Sequence, residues 1–510
     1  MDNIGQLSGV RPRYFSLARP AGRVPAWVDP LALGAVGLVV SLFRNASPSV
    51  WIDESATMSA VNRSLASLAL MVQHVDLVHV VYYTLMHLWV GAFGDSAGTL
   101  RSFSGIAVAV AVGAIATIGR LLGSRRFGAV AGIVFLALPV TSWMALQARS
   151  AALSTMLTAI GIALALAAIR SDGRRARLLW IGYAIVGLLS TAVFVFSVLA
   201  FVSIGIAIFT GSAPRRARMA WVACTTPLAL FAGVFLVVLR AQAAQVSWIP
   251  HIGGATIEAV TVVQFFRGFF RVEVFFAAAV GLIVLVGLVW ALRRVRQKLS
   301  RPIDDSGRET SASGVGPVRL ALSWLLFPLF AMLVASLVIS PVYTPEYLAF
   351  TAPAFALLIA GVLVFSLTRV LAVGALAVIL AFGAIAYWDQ RMPWASFGSD
   401  WQAAATALSS AARPGDGVHF TVNGNESSRG VKLAYPEAFR GLVDPGPRVL
   451  PASDGSLWGV EPDAETIRPT DGRLWVIELQ PGTSVPTVPG YHLTSNRLVG
   501  WVGLTLLTHN

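Results

Sequence analysis

The chain has 510 residues, of which 56% are hydrophobic and 12% charged, and its mean hydropathy is +0.71. Those figures exclude a soluble globular protein and indicate an integral membrane protein. A formal net charge of +13 would suit a nucleic-acid binder if the basic residues were pooled on one domain, but they occur in short clusters between apolar runs, which argues for membrane topology instead.

Residues 1–25 are polar and basic (Arg11, Arg13, Arg19, Arg23) and have no small-residue cleavage site behind a short apolar core, so they read as a cytoplasmic tail. Apolar stretches follow at 26–44, 98–119, 127–144, 151–169, 176–190, 193–211, 219–239, 275–293, 319–340, 348–366 and 370–387, about eleven transmembrane helices. The clusters Arg120/Arg125/Arg126, Arg174/Arg175/Arg177, Arg215/Arg216/Arg218 and Arg293/Arg294/Arg296/Lys298/Arg301 mark loops retained in the cytoplasm. This topology puts the N-terminus inside and the segment 389–510 outside.

Three segments then face outward: loops 45–97 and 240–274, and the turn "SPVYTPEYL" at 340–348. Residues 78–95, "VHVVYYTLMHLWVGAFGD", are apolar but short. A full crossing there would put the "RLLGSRR" loop outside against its charge, so they read as re-entrant or interfacial. Residues 302–318 form a Gly/Ser-rich cytoplasmic linker. The segment 389–510 carries twelve acidic residues against nine Lys and Arg. Its helical start "SDWQAAATALSSAA" and the runs "GVHFTVNG" and "RLWVIEL" predict a small extracytoplasmic α/β domain. The expected fold class is therefore an all-α polytopic transmembrane domain, 26–388, followed by that α/β domain.

"WIDES" puts Asp53 and Glu54 directly after the first span, and the next outer segment adds His74, Asp76, His79, Tyr82, Tyr83 and His87. Ionisable groups near a bilayer are costly and usually face a protein-lined cavity. A carboxylate there can take a proton from an attacking hydroxyl, and arginine can hold a phosphate leaving group. Arg101, Arg149, Arg267 and Arg271 each fall near an outer helix end. Trp248 and Tyr347 occupy outer openings, where an aromatic ring either stacks on a sugar or anchors at the interface. His74, Asp76 and His79 lack signature spacings such as HExxH, so no metal is expected. No phosphate-binding GxxxxGK[ST] loop and no GxSxG elbow occurs; no cofactor is expected, and energy for any transfer must come from an activated substrate. The single Cys224 rules out an internal disulfide.

At these residues the chain resembles the polytopic GT-C glycosyltransferases, particularly the bacterial branch similar to protein O-mannosyltransferases and lipid A aminoarabinose transferases. The likeness rests on "WIDES", on "DLVHVVYYTLMHLWVGAFGDSAGTLRSFS", on "LPVTSWMALQARSAAL" and on "SDWQAAATALSSAARPGDGV". It implies an inverting membrane transferase at the plasma membrane. Such an enzyme moves a monosaccharide, mannose foremost, from a polyprenyl-phosphate donor to an extracytoplasmic glycolipid, glycan or protein acceptor. Carried over by residue, Asp53 becomes the general base and Glu54 orients the site or acceptor. Asp76 and His79, with Tyr82 and Tyr83, line the cavity, while Arg149, preceded by Gln147, and Arg101 neutralise the lipid phosphate. "HVVYY" stands where related members carry His-Pro-Pro-Leu, and Glu346 stands where an arginine precedes the tyrosine; both departures bear on donor and acceptor. The alternatives are arabinofuranose or another sugar on the same fold or, from another class, a lipid-linked-sugar transporter or flippase, or a noncatalytic scaffold.

Overall fold

Runs of Ala, Leu, Val and Ile become helices here because a segment in hydrocarbon must satisfy its backbone hydrogen bonds internally. The computed structural model describes residues 25–268, 272–299, 314–396, 398–423, 426–479 and 487–509, with side chains of the helix beginning at Val272 described to Val289. The basic N-terminal tail, most of the 302–318 linker, the cluster from Arg293 to Arg301 and Arg271 therefore lie wholly or in their side chains outside the described residues.

The first helix, α1 (Val28–Leu42), leads to three shorter ones, α2 (Ile52–Val61), α3 (Leu65–His74) and α4 (Val80–Phe93). The long α5 (Ala97–Leu122) follows, then α6 (Arg125–Ala137), α7 (Pro139–Ala145), α8 (Ala151–Ile169), α9 (Gly173–Val193), α10 (Val198–Phe209) and α11 (Arg215–Leu239). The second outer loop holds α12 (Gly254–Glu258) and α13 (Gln264–Phe266), and the domain closes with α14 (Val272–Leu299), α15 (Pro317–Val338), α16 (Ala352–Gly361) and α17 (Arg369–Asp389). Each of the eleven expected spans falls on a helix. Among the described residues eight helices are long and apolar enough to cross a membrane, and α6 with α7 makes a ninth bent by 67°. Proline at position 139 causes that bend by removing a backbone donor and forcing Leu138 into extended geometry, φ −69° and ψ 131°. The remaining two, Val28–Leu42 and Val195–Phe209, are short apolar helices, as is Leu77–Phe93 within the predicted re-entrant stretch.

Helices α5 and α6 cross where Gly119 meets Gly128; a Cβ on Gly128 would lie 2.2 Å from the Ala116 carbonyl oxygen, so only glycine permits the approach. α5 and α8 pack side by side, and their starts lie together around the Glu54–Arg101 pair and Ala148. Their far ends carry the basic residues: Arg120 donates to the Ala26 carbonyl at 2.9 Å, Arg125 pairs with Asp29, and Arg216 pairs with Asp172. Arg120, Arg125 and Arg216 thus lie at the end of the bundle opposite Asp53.

The C-terminal region is a four-stranded sheet with order β1 (Gly417–Phe420), β4 (Arg473–Leu479), β6 (Val502–His509), β5 (Tyr491–Val499). β1 and β4 run parallel and the other neighbours antiparallel. A small hairpin, β2 (Val422–Asn423) with β3 (Glu426–Ser427), and the helices α18 (Trp401–Ala411) and α19 (Arg429–Ala434) complete it. The predicted α/β character holds, and the sequence reading lacked the closing β5–β6 hairpin.

Candidate active site

The site forms where the starts of α2, α5 and α8 converge. Asp53 and Glu54 occupy the first turn of α2, where the exposed N–H groups of a helix start favour negative charge. Being neighbours on a helix, the two carboxylates point in different directions.

Glu54 turns inward and is 2% exposed, against an Arg101 that is fully buried. Arg101 Nε donates to Oε1 at 2.8 Å and Nη2 to Oε2 at 2.5 Å, while the Ala148 N–H donates to Oε1 at 3.1 Å. The remaining guanidinium hydrogens go to the carbonyls of Asn45, Pro48 and Ser49 at 2.8 to 3.1 Å. The resemblance implies Arg101 at the lipid phosphate and Glu54 as a group that orients the site or acceptor. In the structure Arg101 is enclosed with its donors committed to Glu54 and to backbone carbonyls, and the pair locks the loop before α2 to α5 and to the segment carrying Arg149.

Asp53 faces outward with its side chain 44% exposed, and Arg149 Nη2 reaches its Oδ1 at 2.9 Å. Arg149 Nη1 donates to the Tyr83 hydroxyl at 3.1 Å, and that hydroxyl donates to Asp76 Oδ2 at 2.7 Å. Asp53, Arg149, Tyr83 and Asp76 therefore form one continuous polar chain. Burial disfavours the charge on Arg149, but Asp53 and the other acidic neighbours outweigh it and raise its proton affinity.

Three contacts fix the Arg149 segment. Trp51 Nε1 donates to Gln147 Oε1 at 2.7 Å, Ser104 Oγ donates to the Gln147 carbonyl at 2.6 Å, and Thr57 Oγ1 donates to the Ala148 carbonyl at 2.9 Å. Gln147 is thus a strut behind Arg149. Asp76 adopts a left-handed backbone, φ 58°, an uncommon choice that aspartate tolerates. Two glutamines of the second outer loop hold it: Asp76 N–H donates to Gln245 Oε1 at 3.1 Å and Leu77 N–H to Gln242 Oε1 at 2.9 Å.

The His79 ring lies 5.6 Å from that of Tyr83, and the Tyr82 and Tyr83 rings are 6.2 Å apart. Burial, then the Arg149 charge, push the His79 imidazole down to about 4 against the pull of Asp76 and Asp53, so it is neutral at pH 7. Tyr347 stacks on Phe196 at 5.8 Å and lies within electrostatic reach of Asp53, Arg149 and Asp76. Trp248 is 63% exposed on the second outer loop rather than packed into the polar chain. Arg267 pairs with Glu346 and lies 4.5 Å over the Trp143 ring. Among the described residues no three His, Cys, Asp or Glu side chains converge on a point that could hold a metal ion.

No family model matches the chain, and no curated protein matches it in sequence. Among solved structures, ArnT from Cupriavidus metallidurans bound to undecaprenyl phosphate superposes with a TM-score of 0.51 at 12% identity, covering 94% of this chain and 97% of that one. The same protein in the apo state gives 0.52 at 11% identity over the same shares. The chain has the GT-C fold. Archaeal oligosaccharyltransferase AglB from Archaeoglobus fulgidus, in complex with an inhibitory peptide and a dolichol-phosphate, gives a TM-score of 0.42 at 13% identity over 75% of this chain and 58% of that one; the GT-C assignment rests on ArnT. Within the GT-C fold, the residues that sequence reasoning missed are the supports. Trp51 and Ser104 stand at the ends of quoted stretches without being singled out in them, Thr57 lies outside those stretches, and the role of all three arises only from packing.

Proposed function

We propose that this protein is a membrane glycosyltransferase that moves a sugar from a polyprenyl-phosphate donor to an acceptor hydroxyl on the outer face of the plasma membrane. The single observation that carries the reading is the outward-facing Asp53 carboxylate paired at 2.9 Å with Arg149, a base and a phosphate ligand side by side. The GT-C fold supports it, and Arg120, Arg125 and Arg216 at the opposite end of the bundle support an outer site by the positive-inside rule.

Asp53 takes the acceptor's hydroxyl proton as the oxygen attacks the anomeric carbon from the face opposite the phosphate. The anomeric carbon–oxygen bond breaks, the configuration inverts, and the bonding electrons leave with the lipid phosphate. Arg149 stabilises that charge, positioned by Tyr83 and Asp76. A single displacement needs one base and a stabilised leaving group. In the free enzyme Arg149 neutralises Asp53, so an arriving donor phosphate competes for the guanidinium and frees the base at the moment it is needed. Neutral His79, Tyr82 and Tyr347 line the sugar-side wall, and exposed Trp248 offers a stacking face at the mouth. Mannose is the first sugar to test, with arabinofuranose next.

The test is transfer of radiolabelled mannose from polyprenyl-phosphomannose in membranes containing wild type or Asp53→Asn. Incorporation above protein-free background that disappears in a folded Asp53→Asn variant supports the reading. Activity with an arabinose donor alone keeps the mechanism and changes the sugar. Silence with every lipid-phosphate sugar overturns it in favour of transport or scaffolding.

A further inference from the structure

A helix that runs on gives the N–H of each residue to the carbonyl four residues before it. At the end of α3 that bond would join the Asp76 N–H to the Val72 carbonyl, and two glutamine side chains of the second outer loop take its halves instead. Gln242 Nε2 donates to the Val72 carbonyl at 2.9 Å, and Gln245 Oε1 accepts from the Asp76 N–H at 3.1 Å. The two amides also meet, Gln245 Nε2 donating to Gln242 Oε1 at 3.3 Å, and that same Gln242 oxygen accepts from the Leu77 N–H at 2.9 Å. Both glutamines come from the 3₁₀ turns Arg240–Val246, which bend at Gln242 (φ −112°, ψ 18°).

The chain between α3 and α4 is held open in consequence. Val75 is extended, φ −146° and ψ 145°, and Asp76 is left-handed, φ 58° and ψ 30°, a costly geometry that persists only where its surroundings fix it. An aspartate ahead of a helical turn ordinarily turns its carboxylate back on that turn's N–H groups. Asp76 precedes the turn Leu77–His79, yet its Oδ2 reaches out to the Tyr83 hydroxyl at 2.7 Å. A carboxylate oxygen accepts, so the buried Tyr83 gives its proton to Asp76 and keeps its oxygen for Arg149 Nη1, 3.1 Å away. Arg149 in turn reaches Asp53.

We propose that Gln242 and Gln245 are positioning residues for the donor phosphate: by splitting the bond between Asp76 and Val72 they aim the Asp76 carboxylate at Tyr83, and through Tyr83 they set Arg149. This rests on the transferase reading above and assigns the second outer loop to the site. Without the two amides, the Asp76 N–H and the Val72 carbonyl are left to pair with each other as α3 extends. Asp76 then leaves its left-handed geometry, its carboxylate swings off Tyr83, and Arg149 loses the partner that fixes its Nη1 edge.

The experiment uses the full-length protein in lipid nanodiscs with octyl α-mannoside as acceptor. The donor is whichever lipid-phosphate sugar wild type turns over, polyprenyl-phosphomannose first. Gln242→Met/Gln245→Met, which keeps the side-chain lengths and removes both amides, is expected to raise donor KM about tenfold while acceptor KM holds. Tyr83→Phe cuts the link between Asp76 and Arg149, so in that background the same double change should leave donor KM within about twofold, which a merely structural role of the loop would not produce. Each single Met change is measured alongside, so the test stands if the double variant does not fold. Asp53-dependent turnover with donor KM unchanged in folded glutamine variants, or raised by the same factor with and without Tyr83→Phe, overturns this inference alone. No turnover of any lipid-phosphate sugar by wild type overturns the transferase reading, and this inference with it.

Discussion

Glu54–Arg101 and Asp53–Arg149 are two acid–arginine pairs built from adjacent residues of one helix, and their environments separate their work. The first is enclosed, with side chains 2% and 0% exposed, and the second opens outward, with Asp53 at 44%. A buried pair resists being broken because either partner left alone is an uncompensated charge. A pair at an opening can exchange one partner for a substrate at small cost. The difference teaches that sequence adjacency, and even identical chemistry, does not assign a role; solvent access does.

The largest expected effect breaks the open pair. Asp53→Asn is expected to lower the rate of transfer by about 10²- to 10⁴-fold while leaving the thermal unfolding midpoint in detergent unchanged, as measured by kinetics and a melt on the same preparation. Breaking the closed pair should do the reverse. Arg101→Ala or Glu54→Gln is expected to destabilise the protein by about 3–5 kcal/mol, seen as loss of monodisperse protein on gel filtration. The double change Glu54→Met/Arg101→Leu should recover much of that loss; failure to recover would mean that the carbonyl contacts of Arg101 matter more than its charge.

Smaller effects sharpen the comparison. Arg149→Lys keeps the charge and loses the planar fork that spans Asp53 and Tyr83, so donor KM should rise about tenfold with little change in stability. Gly430→Leu tests how closely the C-terminal domain sits on α2: the added side chain meets Ser55, and overpacking should cost about 1–3 kcal/mol, read as a lower unfolding midpoint. A third acid–arginine group, within the C-terminal domain, responds to acid. Arg429 pairs with Asp444 and Glu461, and Lys432 also reaches Asp444. Burial raises the proton affinity of Asp444, but Arg429, Lys432 and the Gly446 N–H outweigh it and hold the carboxyl at about 2. A carboxylate depressed on folding stabilises the fold above its unfolded value of about 4 and loses that contribution as pH falls toward 2. Circular dichroism during acid titration should show wild-type stability falling across that interval, and Asp444→Asn should flatten the fall.

Much of the bundle was legible in sequence because hydrocarbon imposes a simple rule: a long apolar run must be a helix. α8 begins and ends at the expected residues, Ala151 and Ile169. The outer segments were less legible, since α2, α3 and α4 are short and owe their shape to what packs on them. The site divides in the same way. The residue types at Asp53, Asp76, Tyr83 and Arg149 were visible as costly polar groups in outer loops, but Arg101 looked the same and proved to be a buried strut.

The sequence by itself therefore determined a multi-pass helical membrane protein, the approximate extent of its helices and the pool of polar residues from which a site can be drawn, because hydropathy and charge act locally along the chain. Only the tertiary structure decided which carboxylate is enclosed and which is open, that Gln147 and Ala148 brace Arg149, and that Gly430, more than 370 residues away in sequence, comes to rest on Ser55 of the helix that carries Asp53. Those outcomes depend on burial and on helix ends meeting in space, which no local pattern encodes.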